Sequence, residues 1–101
     1  MGTPWFIGDE LTGAGFRLAG VHVITVDMSD RDGIVDAFIQ ALAEASLVVI
    51  TTPAADVLPE TRLARAVIAA DPPVAVVPDA RDTRPPTDMG HRVRSALGVE
   101  S

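Results

Sequence analysis

The chain has 101 residues, 48% hydrophobic and 22% charged, which suits one compact domain and excludes both a two-domain protein and a disordered one. Its formal charge of −6 disfavours nucleic-acid binding, and the absence of cysteine excludes disulfides and thiolate metal sites. No apolar run reaches the roughly 18 residues that span a bilayer, and no signal peptide opens the chain, so a cytosolic protein without direct membrane insertion is expected.

The opening stretch sets the plan. Trp5-Phe6-Ile7 reads as the end of a first strand over 4–7, broken at Gly8. The acids Asp9 and Glu10 follow, and then a Thr-Gly-Ala-Gly turn expected to open a short helix through Phe16, Arg17 and Leu18, stopping at Gly20. A β-branched run over 21–26 is the second strand, with His22 at its start as an ordinary half-exposed side chain. Ser29 or Asp30 caps a helix whose apolar face is expected to hold Ile34, Val35, Phe38, Ile39, Leu42 and Ala45.

Leu47 to Ile50 is continuously apolar, as in a central parallel strand covered on both faces, and it ends in Thr51-Thr52-Pro53. One short helical turn precedes a longer helix that has Pro59 in its first turn and Leu63, Ala66, Val67 and Ala70 as its buried face. Asp71-Pro72-Pro73 stops it. Residues 74–77 form a fourth strand, apolar on both faces. The order β-α-β-α-β-α-β with right-handed crossovers predicts a small three-layer αβα sandwich around a four-stranded parallel sheet, ordered 2-1-3-4 and similar to receiver and Rossmann-like folds.

The end of the chain is patterned differently. Domain organisation is expected as an α/β body over 1–78, a proline-rich linker over 79–87 and a C-terminal helix within 88–101. The helix carries an apolar stripe of Met89, Val93, Ala96 and Leu97, with His91, Arg92 and Arg94 off it, and Gly98 placed to end it. Residues 81–101 hold four arginines against three carboxylates, a net of +1, which leaves −7 for residues 1–80. Two surfaces with different partners would produce this split; so would a plain scatter of arginines through the chain. A helix of about ten residues is marginal alone in water, so this one must dock on its own domain or on a partner. Met89, His91, Arg92, Val93, Arg94 and Leu97 are its candidate partner-binding residues.

No catalytic constellation is present. A receiver domain needs an acid pair after the first strand, an aspartate after the third and a lysine near the last. Asp9 and Glu10 supply the pair, but the third strand ends in Thr51 and Thr52, and the chain has no lysine. Gly13, Gly15 and Gly20 do not make the Gly-x-Gly-x-x-Gly spacing of a dinucleotide site. His22 and His91 have no serine or cysteine partner in the sequence pattern. Asp9 and Glu10 could serve as Mg²⁺ ligands or, more simply, cap the first helix. No cofactor is expected.

Residues 7–21, reading IGDELTGAGFRLAGV, resemble the N-terminal signature of the F subunit of V-type and A-type rotary ATPases, roughly I-G-D-x-D-T-x-x-G-F-x-L-A-G-V. Gly8, Asp9, Thr12, Gly15, Phe16, Leu18, Ala19 and Gly20 match without gaps. Leu11 stands where the family usually has Asp, and Pro53 to Pro59 carries prolines where it tends to run Ile-Ala-Glu. Leu47 to Thr51 and the closing segment through Arg92-Val93-Arg94 and Leu97-Gly98 are similar to the family's third strand and end. The resemblance implies a non-catalytic central-stalk rotor component of the ATP synthase type, cytoplasmic and peripheral to the membrane through its complex. Its implied partners are the shaft, which is the D subunit of such complexes, and the catalytic A/B hexamer. Its C-terminal helix would influence ATP hydrolysis or synthesis. The alternative is a degenerate receiver-like or small-ligand-binding signalling domain.

Overall fold

The computed structural model describes residues 2–80. The expected helix over 88–98, with Met89, His91, Arg92, Val93, Arg94 and Leu97, and the expected linker beyond Ala80 lie outside the described residues.

Four strands, β1 (Pro4–Gly8), β2 (His22–Thr25), β3 (Leu47–Thr51) and β4 (Val74–Val77), form one all-parallel sheet in the order β2-β1-β3-β4. The expected class, order and orientation all hold. β1 pairs Ile7 with Ile24 on one side and with Ile50 on the other, so it and β3 are the inner strands. Their side chains are buried because helices cover both faces, and Phe6, Ile7, Val48 and Ile50 have no exposed surface. The residues of β4 are apolar on both faces, as read from the sequence, and all four are half-buried. Among the described residues it is an edge strand, with β3 as its one neighbour.

Side chains alternate along a strand, so Phe6 faces one layer while Trp5 and Ile7 face the other. The first helix, α1 (Glu10–Leu18), lies on the Phe6 face, where the Phe6 and Phe16 rings stack with centroids 4.7 Å apart. The helices α2 (Arg31–Glu44), α3 (Thr52–Val57) and α4 (Glu60–Ala69) follow from crossovers in the opposite direction, so right-handedness puts them on the Ile7 face. There Ile7, Val48 and Ile50 pack with Ile34, Phe38, Ala41, Ala54, Leu58 and Leu63.

Four local expectations are corrected. The Thr-Gly-Ala-Gly segment is not a turn before α1 but part of it, because Asp9 caps the helix three residues earlier, accepting from the Thr12 N–H at 2.9 Å. On α2 the buried residues are Ile34, Ala37, Phe38 and Ala41, while Ile39 is 44% exposed. Weighting the large side chains tilted the expected face, since small alanines sit where the helix approaches the sheet. Pro59 is the N-cap of α4 and not in its first turn. It forces Leu58 into extended geometry, which separates α3 from α4. Ala70 leaves the expected buried face because it ends α4 in the left-handed region, at φ +52°. The short helix before α4 is present as expected.

The C-terminus of α1 closes at Gly20, as the sequence implies. Gly20 has φ +86°; its N–H donates to Arg17 O and the Val21 N–H to Phe16 O, the paired bonds of a Schellman stop.

Candidate functional site

In an open parallel sheet, sites are built at the carboxyl ends of the strands, at the point where successive connections turn in opposite directions. Here that point lies between β1 and β3, flanked by Asp9 and Thr51. Gly8 lets the two strands close tightly: a Cβ there would stand 2.6 Å from Thr51 Cγ2 and 2.7 Å from Phe6 Cζ. Thr51 has no exposed surface, and its Oγ1 accepts from the Ala54 N–H at 3.4 Å, capping α3.

The acid pair is divided between two tasks. Asp9 Oδ2 caps α1, whereas Glu10 points along the outside of the helix, accepting from Arg17 Nη1 at 2.9 Å and from Thr25 Oγ1 at 2.8 Å. These bonds from Arg17 and then Thr25, with the nearby guanidinium charge, hold the Glu10 carboxyl below the ordinary glutamate range. Asp27 is likewise lowered by hydrogen bonds from the Ser29 N–H and hydroxyl. Among the described residues no group of three or more His, Asp or Glu side chains could hold a metal ion. His22 is exposed and lies against Trp5, with ring centroids 4.5 Å apart.

Glu10 has a depressed pKa in the folded chain, so its contribution to stability is present above the unfolded-state value and is lost as pH falls through the folded one. Two outcomes are expected. A side-chain carbonyl NMR titration should place Glu10 below ordinary glutamates, and Arg17→Gln should move its midpoint upward. The stability difference between Glu10→Gln and the parent should be visible at neutral pH and disappear in acid.

A family model described as ATP synthase (F/14-kDa) subunit matches residues 5–94. The chain belongs to that family. A search of curated proteins returns no match. As a member of this ATP synthase family, the chain is a component of a rotary ATPase complex, whose work is ion transport coupled to ATP. Among the described residues no helix is long and apolar enough to cross a membrane.

The fold gives most of the family signature an internal purpose. Gly8 admits Thr51, Asp9 caps α1, Phe16 stacks on Phe6, and Ala19 and Gly20 close the helix. Thr12 Oγ1 accepts from the Ala80 N–H at 2.9 Å, tying the chain that leaves β4 to α1. Gly15 and Leu18 differ: a Cβ on Gly15 would meet nothing within 4 Å, and Leu18 is 92% exposed. With Leu11 and Ala14 they form an outward stripe at i, i+3, i+4 and i+7 on α1. The sequence reading missed this stripe and the Glu10–Arg17 pair for one reason. Both are seven-residue spacings that begin at Glu10 and Leu11, ahead of the Thr-Gly-Ala-Gly segment expected to open the helix, and the helix starts at Glu10. Nor did it single out Arg62 and Arg65, which line a groove between α2 and α4.

Proposed function

We propose that this chain is a non-catalytic central-stalk component of a V/A-type proton- or sodium-translocating ATPase, cytoplasmic and peripheral to the membrane through its complex. The α/β body over 1–78 binds the side of the shaft. Residues 79–87 act as a linker, and 88–101 carry a helix that reaches the catalytic hexamer and modulates ATP hydrolysis or synthesis. The family match over 5–94, which runs past the body into the tail, is the observation that carries this reading. The carboxyl-end geometry supports it, since Asp9, Glu10 and Thr51 are committed to capping and pairing.

In the tail, Met89, Val93, Ala96 and Leu97 form the apolar contact, and His91, Arg92 and Arg94 meet acidic groups on the partner. Exposed pairs of this kind contribute on the order of 0–1 kcal/mol each. A large apolar side chain that becomes fully buried contributes roughly 1.5–3 kcal/mol, so the stripe dominates. Deleting residues 87–101 tests the assignment. The body is expected to remain folded and shaft-bound while the ATPase rate of the reassembled complex changes. Unfolding of the truncated body, or an unchanged rate, would refute the regulatory role.

A further inference from the structure

Residues 1–80 contain only four cationic side chains, Arg17, Arg31, Arg62 and Arg65, in a stretch of net charge −7. Arg17 is paired with Glu10. Arg62 and Arg65 form no ion pair with a described residue, yet both line a single groove of about 440 Å³ between α2 and α4. Its remaining walls are Leu42, Pro59, Thr61 and Ala66, and among the described residues no carboxylate lines it. Half of the body's positive charge is thus gathered around an apolar floor, on a molecule with eleven acids available elsewhere to neutralise it.

We propose that this groove is a docking site for an acidic helix of a neighbouring stalk component. Arg62 and Arg65 stand at i and i+3 on α4, about 5–6 Å apart at Cβ, so their guanidinium forks match two carboxylates one turn apart on a facing helix. Leu42 and Ala66 receive the apolar side chain between those carboxylates. The chain's own C-terminal segment is the wrong occupant by charge: residues 81–101 carry a net +1, and four arginines would be brought against two. The geometry also differs from the α1 stripe of Leu11, Ala14, Gly15 and Leu18, which has no charge selectivity and lies on the other face of the sheet.

The inference rests on the proposed stalk assignment, and the test separates the two. The full chain is titrated against the purified coiled-coil shaft of the same complex at about 0.1 M and about 0.5 M salt, where screening lengths differ about twofold. Arg62→Glu/Arg65→Glu is expected to weaken binding tenfold or more at the lower salt, with the gap narrowing at the higher. Leu42→Ser should weaken it at both salts, and Arg31→Glu, remote from the groove lining, should leave it unchanged. All these positions except the half-buried Leu42 are exposed, and an unchanged thermal midpoint confirms that the arginine variants fold. A charge reversal that binds like the parent at both salts overturns the groove assignment. So does loss of binding in Leu11→Ser/Leu18→Ser alone, which transfers the site to α1. A parent chain that does not bind the shaft overturns the stalk assignment together with the groove.

Discussion

Phe6→Ala is expected to remove about 3–5 kcal/mol of stability, the range for emptying a fully buried phenylalanine site. Phe6 has no exposed surface; it stacks on Phe16 and lies over the space where Gly8 and Gly13 lack side chains. A domain of this size has only about 5–15 kcal/mol in hand, so the variant should melt more than about 10 °C lower and assemble poorly. The same ring is one of two walls at Gly13, whose Cβ would come within 2.8 Å of Val23 Cγ1 and 3.2 Å of Phe6 Cε1. Gly13→Ala should therefore destabilise despite the roughly 1 kcal/mol that alanine gains in a helix. Because the two positions share contacts, Phe6→Ala/Gly13→Ala should lose less than the sum of the single changes in denaturant titrations. Additive losses would show that Phe6 does not set the size at Gly13.

Gly8→Ala is the second large effect. The added methyl group would meet Thr51 Cγ2, Phe6 Cζ and Thr51 Oγ1 at 2.6, 2.7 and 3.0 Å, and both neighbours are fully buried. One of them must move. If Phe6 moves, its stack on Phe16 is disturbed; if Thr51 rotates, α3 loses the cap to Ala54. Overpacking costs about 1–3 kcal/mol and a lost cap typically about 1 kcal/mol, so a total of about 2–4 kcal/mol is expected. Thr51→Ser keeps the capping hydroxyl and removes Cγ2. Gly8→Ala/Thr51→Ser should then recover a large part of the loss in the same denaturant titration. No recovery would place the cost elsewhere in β1.

These two glycines also show where the sequence was legible and where it was not. The continuous apolar run at Leu47 to Ile50 and the β-branched run before Asp27 announced parallel strands, and alternation with helices fixed their order. Period alone could not weigh small residues: Ala37 and Ala41 are buried beside Ile34 and Phe38 on α2, although Ile39 and Ala45 looked like better core. The acid pair was legible as a cap, but its division was not, because Glu10 is joined to Thr25 fifteen residues away on a neighbouring strand. The arginine groove was hidden for a related reason. Arg62 and Arg65 look like ordinary solvent-facing residues of α4 until Leu42 of α2 is placed beside them. Contacts between elements distant in sequence leave no periodic trace, and both the site and its partners depend on such contacts.

The most direct test of the central claim is recovery of the native protein with its neighbours. Affinity-tagged at the N-terminus and purified gently from its own cells, the chain should elute in a stable assembly containing the coiled-coil shaft and the catalytic hexamer. On its own it should neither hydrolyse ATP nor take a phosphoryl group. An isolated monomer that leaves the shaft behind and becomes phosphorylated by a small phosphodonor, with the label lost on replacing Asp9, would contradict the account.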